Sequence, residues 1–234
     1  KFAVPVVLIA GIFWSFGPYV VRNIDEAHTI PWQYLFTRGL VIFLLLNFYL
    51  YLNEGINFIK NYKKIGISGI IGGVGLAFAM ITFIWSITNT SAAITLLCLA
   101  AMPFITALLG FLFLKEEISI NVWVAIGIAA VGIMIMAFGN HEKNTLLGFL
   151  LGIVSAVGFS VFSVSLRWRK ETPKFTTVAI AGLICFAVSL IVIINQDLVL
   201  ISSSKNQALF AVHGTLVCLG MILYAIASKN IQAA

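Results

Sequence analysis

Of the 234 residues, 61% are hydrophobic and only 9% are charged, against about 25% charged in ordinary soluble domains. A water-soluble fold cannot hide that much apolar surface, so the solvent this chain is built for is a bilayer. The net charge of +6 sits in short Lys/Arg clusters between apolar runs, with no basic stripe interleaved with aromatics, which argues against nucleic acid as a partner.

A helix needs about 20 apolar residues to cross the hydrocarbon core, and eight runs meet that rule. The first, Phe2–Val21, contains Trp14, Ser15 and Pro18; it lacks a small-residue cleavage site and reads as a spanning helix, not a removed leader. The second, Ile30–Leu52, opens with Pro31, Trp32 and Tyr34 and holds Arg38, the one cation inside a span. The third, Ile65–Ile87, includes "GIIGGVG" (69–75). That stretch lies within an apolar run, not between a strand and a helix, which argues against a phosphate-cradling loop. Its Gly69 and Gly73 instead have the spacing that lets helix backbones approach. The fourth, Ala92–Leu114, is interrupted by Pro103 and ends beside Glu116 and Glu117; the fifth is Val122–Phe138. The sixth, Leu146–Leu166, repeats the small-residue spacing at Gly148 and Gly152, and Thr176–Ile194 is the seventh. The eighth, Ala208–Ile226, follows "SSSK" (202–205), read as an exposed loop with no helix context, and carries His213.

Short connections leave no room for a separate soluble domain. Backbone groups in lipid must be bonded within each segment, so the fold expected is an all-α polytopic membrane bundle. Cys98, Cys185 and Cys218 each lie in an apolar run without metal-ligand spacing and read as packing residues. No metal and no cofactor are expected.

Orientation follows from the basic residues of the connections. With the amino end cytoplasmic, the inner side holds Lys1, Lys60, Lys63, Lys64, Lys115, Arg167, Arg169, Lys170, Lys174 and Lys229, and the outer side only Arg22, Lys143 and Lys205. An internal duplication is also visible. Gly17 and Gly158 are 141 residues apart, Pro31 and Pro173 are 142, and Gly75 and Gly214 are 139. Each pair falls at matching places in the first and sixth, second and seventh, and third and eighth spans; chance matches among abundant glycines are the alternative. A unit of five spans makes the second copy enter from the opposite side, the plan of an inverted-repeat transporter. The expected division is residues 1–139 for the first repeat and 140–234 for the second. The second stops after its third helix, so eight of ten helices are expected here.

"GIFWSFGPYVVR" (11–22), "WQYLFTRG" (32–39) and "ITNTSAAITLLCLAAMPFITALLGFLFLKEEISINVWVAIGIAAVGIMI" (87–135) resemble the EamA-type branch of the drug/metabolite transporter superfamily. The matching features are the small-residue start at Ser91 and Ala92, the mid-helix Pro103, the cytoplasmic-end Glu116, and the spaced Gly127 and Gly132. Lys115 stands where the family often has glycine. The resemblance implies a ten-helix importer or exporter of small metabolites with a central cavity between two repeats.

Arg38 lies seven residues into its span from Pro31, about 10 Å along a helix. An arginine at that depth costs a few kcal/mol on insertion scales. Three readings are open: its stem snorkels to the interface, it pairs with a helix-end carbonyl, or it faces a cavity and holds a substrate carboxylate in two parallel hydrogen bonds. Trp14, Ser15, Tyr19, Tyr34, Trp85 and Asn89 are candidates for a cavity's aromatic and hydrogen-bonding walls, while Trp32 reads as an interfacial anchor. His213 is the candidate for coupling to a proton, with a plain packing hydrogen bond as its alternative. Pro18 and Pro103 are candidate hinges. Glu116, at a helix end that disfavours negative charge, is read as a structural or gating residue that needs a basic partner, with Lys115 or Lys170 in view. No H-E-x-x-H, G-x-S-x-G or P-loop occurs, and an enzyme is not expected. The function expected is secondary transport of small organic solutes, amino-acid-like ones included, across the cytoplasmic membrane. A non-transporting membrane scaffold or lipid-handling protein is the alternative. Lipid and a small-molecule substrate are the expected partners, with homodimerisation left open.

Overall fold

The computed structural model describes residues 3–138 and 146–228, and every regular element in them is helical. The boundary expected at 139/140 lies outside the described residues, as do Lys1, Lys143 and Lys229 of the charge census.

The first span is realised as two helices, α1 (Ala3–Ser15) and α2 (Gly17–Arg22), parted at Phe16. Pro18 at the start of α2 has no N–H to return to the preceding turn, which is why the helix cannot run through. α3 (Pro31–Glu54) opens on proline, where a missing N–H costs nothing, and ends at Gly55, whose φ of 57° with ψ of −149° falls in a region essentially reserved for glycine. A 3-10 turn (Gly55–Phe58) and α4 (Ile59–Lys64) follow, a segment that counting apolar runs does not predict. It folds back on α3, where Tyr62 Oη donates to Asn47 Oδ1 at 2.7 Å.

α5 (Gly66–Asn89) is continuous. The fourth span is again broken, into α6 (Ala92–Ala100) and α7 (Met102–Leu109), with Pro103 in the first turn of α7, and it closes in a π-helical turn (Gly110–Leu114). Ser91 caps α6 by accepting from Ile94 N at 3.3 Å. α8 (Ile120–Phe138), α9 (Leu146–Trp168), α10 (Lys174–Asn195) and α11 (Ser204–Ser228) complete the order. α11 begins earlier than its apolar run. Ser203 Oγ accepts from Asn206 N at 3.2 Å, so "SSSK" starts a helix and is not a loop without helix context.

Among the described residues six helical runs are long and apolar enough to cross a membrane, and Leu8–Arg22 and Ile120–Gly132 are shorter apolar helices. The chain is an all-α polytopic membrane protein in contact with lipid.

Two units form. One comprises Lys1–Lys64 with Pro173–Ala234, the other Ile65–Thr172. In the first, α3 packs along α10, and α11 packs on both α1 and α3. Leu35, Ile42, Leu46, Ile193 and Phe210 are fully buried there. The backbones of α3 and α10 meet at two glycines: a β-carbon on Gly39 would stand 2.8 Å from Gly182 O, and one on Gly182 would stand 3.0 Å from Gly39 O. In the second unit α5 packs along α9, and α6 and α7 rest on α9. Gly75 and Gly158 mark that crossing, and Gly148 and Gly152 continue it towards Asn89 and Cys98. Buried hydroxyls span the same seam, Ser155 Oγ donating to Ala79 O at 2.9 Å and Ser86 Oγ to Gly148 O at 2.7 Å. Small residues and hydroxyl bonds substitute for the hydrophobic drive that helices lack in lipid.

Candidate functional site

In the first unit, three of the singled-out polar residues gather at one level. Tyr34 and Arg38 are one helical turn apart on α3, and both are buried, Arg38 to 3% exposure. The arginine therefore lies inside the unit and does not reach out along the surface. His213 on α11, 2% exposed, is hydrogen-bonded through Nδ1 to the Tyr34 hydroxyl. Phe210, one turn before His213, stacks on the Tyr34 ring with centroids 4.7 Å apart. Cys185 on α10 borders the cluster and donates its thiol to Leu35 O at 3.7 Å. Its burial fits the packing role expected for it.

The other ring nitrogen of His213 faces the break in the first span. A β-carbon on Gly17 would stand 2.9 Å from His213 Nε2, so only glycine lets the imidazole sit against the start of α2. Trp14, on the other side of that break, donates Nε1 to Val217 O at 3.5 Å, one turn further along α11. Gln207, near the start of α11, accepts from Thr37 Oγ1 at 2.8 Å. A permanent cation, a phenol, an imidazole and an indole thus line the α1/α2, α3 and α11 packing. They can offer an anionic or zwitterionic group charge and directional hydrogen bonds.

The remaining candidates lie elsewhere. Ser15 is exposed and donates to Ile12 O at 2.8 Å within its own helix, and Tyr19 is exposed. Trp85 and Asn89 belong to the other unit, where Asn89 Nδ2 donates to Trp85 O at 2.7 Å along α5.

Glu116 is paired with Arg167 at the end of α9, Nη1 to Oε2 at 2.9 Å, and not with Lys115 or Lys170. Arg167 also donates from Nη2 to Thr106 O at 3.1 Å. Lys115 takes the left-handed conformation that ends the π turn, and Glu116 N donates back to Gly110 O at 3.3 Å, which leaves no room for a β-carbon on Gly110 beneath the ion pair. Sequence proximity favoured the lysines; α7–α9 packing favours the arginine.

Two further features limit the chemistry. No group of three or more His, Cys, Asp or Glu that could hold a metal occurs among the described residues. The second unit carries a groove of about 470 Å³ along the α5–α9 crossing, walled by Ile71, Val74, Phe78, Val157 and Val161 among others. Its lining is wholly apolar, with nothing to orient a polar solute.

The model of the EamA-like transporter family matches residues 1–138. A relative from Helicobacter pylori (strain J99), described as an uncharacterized transporter, is 25% identical over 173 residues, 73% of this chain and 56% of its own length. The uncharacterized transporter YojE of Bacillus subtilis (strain 168) is 25% identical over 175 residues, 71% of this chain and 55% of its own. The chain thus spans about half the length of these relatives. A crystal structure of a protein 17% identical in sequence aligns with a TM-score of 0.59 over 96% of this chain and 84% of that chain, a likeness of fold. With the family match running from the first span through Arg38 to the end of α8, this chain belongs to the EamA-like transporter family, within the drug/metabolite transporter superfamily.

Proposed function

We propose that this chain forms the core of a secondary transporter, not an enzyme, that moves small organic solutes across the cytoplasmic membrane by alternating access. The buried guanidinium of Arg38 carries the reading. A cation kept in the apolar part of a membrane protein is expensive, and such residues mark substrate or ion pathways. In this reading Arg38 receives the solute's carboxylate in two parallel hydrogen bonds, which makes amino-acid-like solutes the class of choice. Trp14 and Tyr34 bound the same space within that unit. His213, held by Tyr34, takes up and releases the coupling proton. The breaks at Pro18 and Pro103 act as hinges, and the Glu116–Arg167 pair latches the end of the fourth span. The amino end is placed in the cytoplasm on the ten-to-three bias of basic residues.

The duplication, with repeats meeting near residue 139, is supported by the glycine offsets and by the facing pair Gly39 and Gly182. Full-length protein in proteoliposomes, tested with a mixture of radiolabelled neutral and acidic amino acids, should show saturable uptake. Arg38→Gln should lower that uptake at least tenfold at unchanged folding, with Arg38→Lys intermediate because it keeps charge without the fork. His213→Gln should abolish acceleration by an imposed pH gradient. Normal uptake by Arg38→Gln would remove the arginine from the mechanism.

A further inference from the structure

We propose that the segment Gly55–Lys64 is a docking surface for anionic phospholipid, seated at the membrane interface where α3 ends. Gly55 and Gly66 bracket it, both with positive φ, at 57° and 58°, a backbone conformation that glycine adopts most readily. It is pinned to α3 by the Tyr62–Asn47 bond at 2.7 Å and by Asn61 Nδ2 donating to Glu54 Oε2 at 2.7 Å. Phe58 packs edge-on against Tyr62, with centroids 6.4 Å apart.

What the segment presents outward has two parts. Ile56 and Ile59 are 74% and 51% exposed. They prolong an exposed apolar stripe on α3 formed by Leu44, Phe48, Tyr51 and Leu52, spaced as one helical face. Next to them Lys60, Lys63 and Lys64 are exposed, at the i, i+3, i+4 spacing that puts all three on one side of α4. Neither of the ion pairs among the described residues uses any of the three, and Glu54 is engaged by Asn61.

The stripe on α3 belongs to a membrane-spanning helix, so acyl chains cover it. The isoleucines extend that surface to the helix end, and the lysines stand where the covering lipids have their phosphates. An acidic peptide would satisfy the lysines and leave Ile56 and Ile59 bare. An anionic lipid covers both with one molecule, the two-part arrangement of interfacial amphipathic elements.

The test uses the purified full chain in mild detergent, titrated with phosphatidylglycerol or phosphatidylcholine and read by melting temperature and by lipid retained in native mass spectrometry. A lysine near an anionic surface contributes roughly fivefold in affinity. Phosphatidylglycerol should therefore act at concentrations at least tenfold below phosphatidylcholine. Lys60→Gln, Lys63→Gln and Lys64→Gln together should erase that preference and leave the phosphatidylcholine response unchanged, and Lys170→Gln with Lys174→Gln should keep it. For wild type, 0.5 M salt should erase the preference as well, a readout that needs no variant. The proposal is overturned if the triple variant or high salt leaves the preference intact, or if inorganic phosphate or a polyglutamate peptide stabilises as well as phosphatidylglycerol.

Discussion

Replacing Gly158 by alanine probes the closest approach of α5 and α9. A β-carbon there would stand 2.6 Å from Gly75 O, 2.9 Å from Ala79 Cβ and 3.0 Å from Ala79 N. Two of these are backbone atoms of α5, so relief requires the helices to part and cannot come from a rotamer change. Overpacking costs about 1–3 kcal/mol, and contacts this short with backbone belong at the upper end. Alanine returns about 1 kcal/mol through helix propensity. The net loss is about 2 kcal/mol, or about 4–8 °C in melting temperature for a chain of this size. Gly127 on α8 is the control, because nothing lies within 4 Å of its β-carbon position; Gly127→Ala changes propensity alone and should be neutral or gain about 1 kcal/mol. Monodisperse protein surviving a heat series in detergent, measured by size exclusion, reads the difference. If Gly158→Ala melts with Gly127→Ala or above it, the helices do not cross at Gly75 and Gly158.

Tyr34→Phe removes the partner of His213 Nδ1. Leaving a buried nitrogen unsatisfied costs about 1–3 kcal/mol, yet interhelical polar pairs in membranes average about 0.6 kcal/mol; a loss near 1 kcal/mol is expected. In a double-mutant cycle with His213→Leu the coupling should be about 0.6–1.5 kcal/mol, and zero coupling would show the two side chains do not bond. The Glu116–Arg167 pair has side chains 39% and 41% exposed, so Glu116→Gln should cost no more than about 1 kcal/mol. A β-carbon on Gly110 would collide with the Glu116 carboxylate and come within 3.0 Å of Arg167 Nη2. Gly110→Ala should therefore cost more in wild type than in a Glu116→Ala background, and strict additivity of the two melting shifts would place the ion pair elsewhere.

The spans were legible because length and hydropathy fix them without reference to packing, and Pro18 and Pro103 announced the breaks through their missing N–H groups. Elements set by long-range contact were not legible. α4 is too short and too basic to register as an apolar run and is held by Asn47, fifteen residues away. The partner of Glu116 depends on where the end of α9 lies beside α7, so near neighbours in sequence were the wrong place to look. Within the site, Tyr34, Arg38 and His213 stood out for three separate reasons, as wall, cation and proton carrier. Nothing in the sequence joined them, because residues 179 positions apart meet only once α3 and α11 pack. Ser15 and Asn89 are candidates by residue type alone, and both spend a hydrogen bond on their own helix.

The glycine offsets carry more than a count of matches. In the structure Gly75 meets Gly158, while Gly17 meets His213 and Gly214 itself faces Val41 and Arg38 O on α3. An offset of 139–141 residues relates α5 to α11 and α9 to α1, and each of the pairs α5–α9 and α11–α1 packs together. Gly39 and Gly182, 143 apart, face each other, so the α3–α10 crossing maps onto itself. Matching pairs of packed helices are what the proposed duplication expects. Under the proposed duplication the polar cluster is the exception to the pairing. The counterpart of His213 is Val74, on the wall of the apolar groove, and those of Tyr34 and Arg38 are Thr176 and Ile180. A residue needed only to close a crossing is needed in both copies. Tyr34 and Arg38 stand in the first copy and His213 in the second, each replaced at its counterpart, an asymmetry that the ligand role proposed for the cluster requires and that closing a crossing does not.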